Sequence, residues 1–247
     1  MFLGIGINAT SIADAWFRLL YEVLPEAGAS YRQEIQKGSF EGEQCRFQFP
    51  AAAILIQYPQ VDIVPVIPDG LGIPAPTTME YIEDYFANYL MDPTLGENET
   101  YKYASRIHAP MDKGGTQLSR VMNVLKHTPL TNQAIIEIGS PTDYDTCVGN
   151  DGKLEPPCLR LLDFKVLPHP DGKLYLSVTC YFRSWDLWAG FPTNLGGIEL
   201  LKQFVAMQAG LENGPMYAYS AGLHVYGHHE EIVRLRTRRE KATEGGE

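Results

Sequence analysis

Residues 156–194 read PPCLRLLDFKVLPHPDGKLYLSVTCYFRSWDLWAGFPTN, and this stretch indicates more about the fold than any other part of the chain. Two largely apolar runs, 159–167 and 173–182, flank the turn sequence Pro-His-Pro-Asp-Gly, in which proline and glycine favour a reversal of the chain. The stretch therefore predicts a β-hairpin, and with it a β-sheet in the core of the protein.

Helical periodicity is present on both sides of this hairpin. Apolar residues that recur every three or four positions mark one face of a helix, and short runs rich in apolar residues mark strands. Helices are expected at 12–24, 78–91, 117–127 and 195–209, strands at 44–48 and 134–138, and a Pro- and Gly-rich loop at 59–77. Helices and strands without regular βαβ alternation favour an α+β fold.

Length and composition indicate one globular domain. The chain has 247 residues, of which 45% are hydrophobic and 20% are charged, and this is enough to bury a substantial core. The last fourteen residues, RLRTRREKATEGGE, are charged and poor in apolar side chains. We therefore expect a single domain over residues 1–233, followed over 234–247 by a charged tail that is either a frayed helix or disordered.

The charge balance limits the kinds of partner. The formal net charge is −10 and the pI is near 5.1, which argues against a protein that binds the nucleic-acid backbone through a broad basic surface. A nucleotide remains possible as a ligand, because a few converging arginines can hold one phosphate whatever the net charge.

Cysteine usage and hydropathy indicate the compartment. The four cysteines form no CxxC pair, the opening MFLGIGINAT does not resemble a secretory leader, and no stretch approaches eighteen continuous apolar residues. We therefore expect free thiols in a reducing cytoplasm and no membrane insertion.

Three short motifs follow one another in the second half of the chain. A proline precedes a cysteine, an Arg-Ser-x-Asp segment leads through Gly-x-Pro-x to an asparagine, and a His-x-Tyr comes last. They are Pro157-Cys158, Arg183-Ser184-Trp185-Asp186 with Gly190-Phe191-Pro192-Thr193-Asn194, and His224-Val225-Tyr226. In this order they resemble the thymidylate synthase superfamily, which includes the pyrimidine nucleotide hydroxymethylases.

The resemblance implies a fold, an assembly and a pair of substrates. It implies a large mixed β-sheet flanked by helices and a homodimer formed through that sheet. It also implies a pyrimidine nucleoside monophosphate as acceptor and 5,10-methylenetetrahydrofolate, or a related reduced pterin, as one-carbon donor. No metal is expected, since the polar run His228-His229-Glu230 lacks the helical HExxH spacing of a zinc site.

The resemblance also gives roles to the motif residues. Cys158 would be the thiolate that attacks carbon 6 of the pyrimidine, and the neighbouring cation Arg183 could raise its thiolate fraction. A guanidinium and a hydroxyl suit a phosphate, and an amide suits the O4 and N3–H edge of uracil. The nucleotide-binding set is therefore Arg183, Ser184, Trp185, Asp186, Gly190 and Asn194, with His224 and Tyr226 at the sugar hydroxyl.

Fainter similarity extends upstream of residue 104. Arg32, before the glycines of 32–47, would be a further phosphate ligand. Tyr103 in YKYASRI resembles a family tyrosine that helps to move protons at the ring, although Ala104 replaces the usual glycine. The family also needs a glutamate as general acid or base, and Glu80 and Glu83 of the helix at 78–91 are the candidates, with Glu83 preferred.

The chain departs from the common family pattern in several places. Two arginines that the family lends to the partner's phosphate are missing at 132–134, where the chain has Asn-Gln-Ala, and Leu159 replaces the histidine after the nucleophile. The chain also ends soon after Tyr226. These traits resemble the shorter archaeal-type synthases, and the short end favours a hydrolytic outcome somewhat.

Three functions follow from these features. The preferred one is methylation of dUMP to dTMP. The second is a hydroxymethylase for dUMP, dCMP or CMP, in which water quenches the exocyclic methylene. The third is a nucleotide-binding relative without turnover, against which the retention of Cys158 argues, because a binding protein has no need of the thiol.

Overall fold

The computed structural model describes residues 4–35, 45–97, 99, 101–149, 152 and 154–240. The described strands are β1 (Ile5–Ala9), β2 (Tyr31–Glu34), β3 (Cys45–Gln48), β4 (Ala52–Ile56), β5 (Ile135–Glu137), β6 (Leu159–Pro168), β7 (Leu174–Phe182), β8 (Trp185–Asp186), β9 (Glu212–Ser220) and β10 (Leu223–Tyr226). The helices are α1 (Ile12–Val23), α2 (Met79–Tyr85, continued as a π-helix over Phe86–Met91), α3 (Tyr103–Ile107), α4 (Gln117–His127), α5 (Asp143–Thr146), α6 (Gly190–Ala209) and α7 (Glu230–Thr237).

The predicted hairpin forms the middle of a six-stranded sheet. Strands β6 and β7 pair antiparallel, with Asp163 opposite Thr179 and Leu167 opposite Tyr175. Gly172 adopts a φ of +82° in the connecting turn, a conformation that residues other than glycine rarely adopt. The hairpin prediction is therefore confirmed.

Two mixed sheets carry the fold. The larger has the strand order β1-β4-β9-β7-β6-β5, in which β1 runs parallel to β4 and β7 parallel to β9, and the other neighbours are antiparallel. The smaller has the order β2-β3-β10-β8, in which only β10 and β8 are parallel. Helices flank these sheets, so the predicted α+β class is confirmed.

Helix α6 lies at the centre of the helical layer. Two glycines let α2 approach it closely: a Cβ on Gly196 would lie 2.9 Å from the Ile82 side chain, and one on Gly197 would lie 2.5 Å from the Tyr85 ring. The helix begins at Gly190, five residues before the predicted start. The prediction was late because Pro192 interrupts the pattern, although a helix tolerates proline in its first turn.

A buried ion pair connects α6 to β9. The Lys202 ammonium lies 2.9 Å from the Glu199 carboxylate, and both side chains are inaccessible to solvent. Lys202 also donates to the backbone carbonyl of Gly214, and Glu199 accepts from Asn213 at 2.6 Å. Burial lowers the pKa of Lys202, and the charge of Glu199 opposes this change. The pair satisfies two buried charges that would otherwise be costly.

The first helix matches its prediction, and the last one crosses a predicted boundary. The buried residues of α1 recur at helical spacing, as the periodicity predicts, and Ser11 caps the helix by accepting from the Asp14 N–H at 3.1 Å. The buried residues are Ile12, Ala15, Trp16, Leu19, Leu20 and Val23. Helix α7 spans the boundary predicted after residue 233, with Thr237 buried and Arg234 paired with Glu26. Residues 234–240 therefore join the packed domain, and 241–247 lie outside the described residues.

The remaining predictions of local structure also agree with the described elements. The strands expected at 44–48 and 134–138 are β3 and β5, residue 44 lying outside the described residues, and helix α4 has the predicted ends. Residues 59–77, all described, contain neither helix nor strand. Within the described part of the chain, no helix has the length and apolar character needed to cross a membrane.

Candidate active site

Cys158 lies directly before the first residue of β6, next to an irregularity in the pairing of β6 with β7 between Leu159 and Leu161. Its backbone carbonyl accepts from the Arg183 N–H at 2.9 Å, so the nucleophile predicted from the first motif and the arginine predicted from the second face each other across the end of the hairpin. The pairing register of β6 with β7 brings together these two residues, which are 25 positions apart in the sequence.

The guanidinium of Arg183 holds the segment that precedes the cysteine. Its Nε donates to the Pro157 carbonyl at 3.2 Å, and its Nη2 donates to the Pro156 carbonyl at 2.5 Å. The two carbonyls thus accept from a side chain rather than from backbone N–H groups of a turn. Arg183 thereby connects β7 to the residues directly before Cys158.

The protonation of Cys158 is a balance of burial and positive charge. Burial raises the pKa of the Cys158 thiol, and the charges of Arg183 and Arg160 lower it by less. The net pKa lies above the ordinary value of about 8.5. The expected effect of Arg183 thus has the predicted sign, but burial outweighs it, because a thiolate loses more hydration than two partly distant cations restore.

A buried carboxylate organises the cations on this side of the site. Asp143 is inaccessible to solvent and accepts from Arg106 Nη2 at 2.9 Å and from Arg160 Nη1 at 3.0 Å. Gly139 makes room for Arg160, since a Cβ there would lie 2.2 Å from the guanidinium carbon. The cluster was missed because no local sequence pattern joins positions 106, 143 and 160.

Four tyrosines, which we name the tyrosine cluster, line the site next to Cys158. Ring centroids lie 5.3 Å apart for Tyr85 and Tyr89, 5.1 Å apart for Tyr89 and Tyr103, and 6.2 Å apart for Tyr101 and Tyr103. The Tyr103 hydroxyl accepts from the Leu159 N–H at 3.2 Å. Burial raises the pKa of Tyr103 well above 10, so this hydroxyl stays protonated. The predicted proton-moving tyrosine therefore lies beside the nucleophile.

The side-chain amide of Asn194 is oriented by an indole. Trp185 Nε1 donates to Asn194 Oδ1 at 3.0 Å, and the Trp185 ring stacks on Phe182 with centroids 4.0 Å apart. Because an indole N–H can only donate, this contact assigns the oxygen of Asn194 to the side facing Trp185. The Nδ2 donor of Asn194 then lies on the other side.

Asp186 holds the start of α6. Its Oδ2 accepts from the N–H groups of Ala189 and Gly190 at 2.9 Å, and its Oδ1 accepts from the Trp188 N–H at 3.2 Å. These donors belong to the end of a helix, where backbone N–H groups have no partner within the helix. Asp186 thus caps the helix that carries Asn194.

His224 and Tyr226 lie on one face of the smaller sheet, because alternate residues of a strand point to the same side. His224 is opposite Gln48 on β3 and Asp186 on β8, and Tyr226 is opposite Arg46. Nδ1 of His224 lies 2.8 Å from the Gly222 carbonyl, which can only accept, so Nδ1 carries the proton. Burial lowers the pKa of His224, and its Nε2 is a buried acceptor without a hydrogen-bond partner among the described residues.

Arg32 is on the opposite face of that sheet. It pairs with Phe47, whose neighbour on β10 is Val225, and its guanidinium contacts Glu34. Arg46 instead shares the face of His224 and Tyr226 and donates to Gln33 Oε1 at 3.0 and 3.1 Å. Arg46 was not assigned to the site from the sequence. Neighbouring residues of a strand point to opposite faces, so the apolar Phe47 indicated that Arg46 lies on the other, more polar face.

Glu83 is not brought to Cys158. It is exposed on α2, as are Glu80 and Asp84, whereas Ile82 on the same helix is buried against α6. Helical geometry is the reason: residues with charged side chains occupy the outer face and apolar and aromatic residues the inner face. The role of Glu83 as general acid or base stays a prediction that this placement does not favour.

The structure thus brings together most of the predicted residues in two groups. The first group consists of Tyr103 and Arg183, which contact Leu159 and Cys158, and of Asn194, which accepts from Trp185. The second consists of His224, Tyr226 and Asp186, which share a sheet face. Ser184 and Gly190 lie in the connection between these groups, at either end of the Asp186 turn. Among the described residues, no three His, Cys, Asp or Glu side chains are grouped as a metal site would require.

The pKa of Cys158 gives a testable consequence. A raised pKa means that the thiolate fraction is small at neutral pH and grows as the pH rises, so carbamidomethylation of Cys158 by iodoacetamide should have its midpoint above pH 8.5. Peptide mass spectrometry separates Cys158 from the other three cysteines. Arg183→Gln should shift the midpoint further upward and Arg183→Lys much less; a midpoint below 8 in the unmodified protein would contradict this account.

Comparison with known proteins agrees with the motifs and the geometry. The family model described as Thymidylate synthase matches residues 82–245. A “Putative thymidylate synthase” of Methanosarcina barkeri (strain Fusaro / DSM 804) is 30% identical over 234 residues, 94% of each chain. Proteins with the same description from Methanosarcina acetivorans and Methanosarcina mazei are 29% and 30% identical, each match again covering 94% of both chains. The chain therefore belongs to the thymidylate synthase family.

Proposed function

We propose that the protein transfers a one-carbon unit from 5,10-methylenetetrahydrofolate to carbon 5 of a pyrimidine nucleoside monophosphate, and that the reaction is the methylation of dUMP to dTMP. The observation that carries this proposal is the position of Cys158 between Arg183 and Tyr103, within hydrogen-bonded loops that orient it. Membership of the thymidylate synthase family supports the reaction class.

The chemistry explains why a cysteine is placed in this environment. The thiolate of Cys158 adds to carbon 6 of the ring, and the electron pair moves to carbon 5, which becomes an enolate-like nucleophile. The donor, when bound, supplies the carbon and a hydride. The nearby charges of Arg183 and Arg160 favour the thiolate, and an approaching dianionic phosphate would be attracted by the same arginines.

The one-carbon donor requires a flat surface next to the nucleophile. The partly buried rings of Tyr89 and Tyr101 offer such a surface, because both pack against Tyr103, whose hydroxyl contacts the residue after Cys158. A pterin ring would stack on aromatic faces of this kind. The described residues therefore fit the donor.

The sugar and phosphate would lie along the smaller sheet. Nε2 of His224 has no hydrogen-bond partner among the described residues and can accept a hydrogen bond from a sugar hydroxyl. The Tyr226 ring lies beside it, with a centroid distance of 4.8 Å. Arg183 and Ser184 remain the proposed phosphate ligands. Arg46 adds a cation on the face of His224, and Arg32 stays a candidate from the resemblance alone.

A comparison of two arginine variants tests which face holds the phosphate. Arg46→Ala should raise KM for the nucleotide roughly 10- to 100-fold, since a hydrogen bond to a charged group contributes about 1.5–3 kcal/mol. Arg32→Ala should change KM less than about threefold, because the side chain is exposed and already paired. Arg46→Lys, which keeps the charge, is the control, and a larger effect at Arg32 would refute the assignment.

The reaction itself is tested by its products. Purified protein is incubated with methylenetetrahydrofolate and dUMP, with dCMP, UMP and CMP in parallel, and the products are separated by liquid chromatography and mass spectrometry. We expect dTMP with dihydrofolate. A hydroxymethyl nucleotide with tetrahydrofolate would establish the hydroxymethylase instead. Failure of 5-fluoro-dUMP to form an adduct on Cys158 would establish a binding protein without turnover, and Cys158→Ser is the negative control.

The assembly is proposed to be a homodimer formed through the larger sheet. Met216 and Ala218 of β9 are buried beneath the helices, whereas the alternate residue Tyr219 is 44% exposed on the other face, with Tyr181 beside it in register. Open aromatic surface on a sheet face is typical of an interface.

Sedimentation should give about twice the chain mass of 27.6 kDa. Tyr219→Lys should shift the protein to monomer and Tyr58→Lys should not; a monomeric unmodified protein would exclude the dimer.

A further inference from the structure

We propose that Tyr85 completes the base-binding site beside Asn194, and that its hydroxyl donates a hydrogen bond to the carbonyl oxygen at position 4 of the pyrimidine ring. Tyr85 thereby occupies the position on α2 for which the resemblance led us to expect a carboxylate, and it makes the site selective for uracil over cytosine. The inference rests on the proposed function, because it names the base that the same site accepts.

The first observation is the orientation of α2. Glu80, Glu83 and Asp84 are all exposed on its outer face. The inner face instead presents Ile82 and the ring of Tyr85 to α6. Of these residues, Tyr85 alone combines an inward position with a polar group, so it is the residue of this helix that can act on a ligand bound next to α6.

The second observation is the close contact between Tyr85 and α6. A Cβ on Gly197 would lie 2.5 Å from Tyr85 Cδ1, so the absence of a side chain at Gly197 creates the space for the ring. Gly197 follows Asn194 by three residues in the same helix, and residues three apart lie on one face. Tyr85 and Asn194 therefore lie side by side.

The third observation is the state of the Tyr85 hydroxyl. Its oxygen is inaccessible to solvent, and no described residue accepts the hydroxyl proton. Burial raises the pKa of Tyr85 well above 10, and a hydrogen bond from the side-chain amide of Asn194 opposes this effect. A buried hydroxyl proton without an acceptor destabilises the empty site, so a ligand that accepts its hydrogen bond removes this penalty.

The donors at this point of the site determine the base. Trp185 occupies Oδ1 of Asn194, which leaves the Nδ2 donor toward Tyr85, and the neutral Tyr85 hydroxyl is a second donor. A carbonyl oxygen has two lone pairs and can accept from both. The exocyclic amino group of cytosine is itself a donor, so it could donate to the Tyr85 oxygen but would leave Nδ2 of Asn194 and the Tyr85 hydroxyl proton without an acceptor. The arrangement therefore matches uracil.

The same hydrogen bond acts in the chemical step. Addition of the Cys158 thiolate at carbon 6 moves negative charge onto carbon 5 and the oxygen at position 4. A donor directed at that oxygen becomes stronger as the charge develops, because hydrogen bonds to charged acceptors are stronger than neutral ones. Tyr85 therefore stabilises the intermediate without giving up its proton permanently, as a group with a strongly raised pKa should.

Equilibrium binding tests the proposal without depending on turnover. Titration calorimetry of dUMP and dCMP with the unmodified protein should show tighter binding of dUMP. Tyr85→Phe removes only the hydroxyl, and should reduce the ratio of the two affinities roughly tenfold by weakening dUMP binding. Tyr81→Phe, on the exposed face of the same helix, is the matched control and should leave the ratio unchanged.

A second variant separates the hydroxyl from the packing of the ring. Gly197→Ala keeps the hydroxyl and displaces the Tyr85 ring, so it should reduce the affinity ratio in the same direction. Circular dichroism confirms that each variant is folded. An unchanged ratio in a folded Tyr85→Phe protein would overturn the inference, as would loss of turnover on Glu83→Gln together with full turnover on Tyr85→Phe.

The outcomes also distinguish this inference from the proposed function. An unmodified protein that binds neither nucleotide, or that forms no adduct with 5-fluoro-dUMP, would refute the proposed function. An unmodified protein that binds dUMP and forms the adduct, combined with a Tyr85→Phe protein that keeps the full preference for dUMP, would refute the role of Tyr85 alone.

Discussion

The carboxylate of Asp186 fixes the point where the smaller sheet turns into α6, and the site depends on that turn. By accepting from three successive backbone N–H groups, it sets where the helix begins. The start of the helix then determines where Asn194 and Gly197 lie. Asp186 is also opposite His224 in the sheet, so the proposed base-binding and sugar-binding residues are positioned by the same carboxylate.

Opposing electrostatic effects decide the protonation state of Cys158, the proposed nucleophile. Burial of Cys158 favours the neutral thiol, while Arg183 and Arg160 favour the thiolate. Arg160 is in turn held by Asp143, which it shares with Arg106, so one buried carboxylate neutralises only part of the charge of two arginines. The remaining positive charge suits an anionic nucleotide in a chain whose net charge is −10.

Neutral donors replace charged groups on the other side of the nucleophile. The rings of the tyrosine cluster are buried or partly buried, and burial raises the pKa values of Tyr85 and Tyr103 and keeps their hydroxyls protonated. The carboxylates of α2 are exposed, as the cost of burying an unpaired charge leads one to expect. The tyrosine cluster therefore offers phenolic hydroxyls as hydrogen-bond donors. In the proposed complex, such donors favour a pyrimidine that carries a carbonyl group over one that carries an amino group.

The sequence by itself determined the α+β class, the hairpin of β6 and β7, the periodic helices and the order of the catalytic motifs, because each depends on residues close together in the chain. Only the tertiary structure decided which side chains meet. The register of β2 with β3 directs Arg32 away from His224 and Arg46 toward it, and the packing of α2 on Gly197 directs Tyr85 inward and Glu83 outward. Asp143 joins Arg106 and Arg160 across long stretches of chain. Strand register and helix packing set these contacts, and both arise from burial of the whole core rather than from any local pattern.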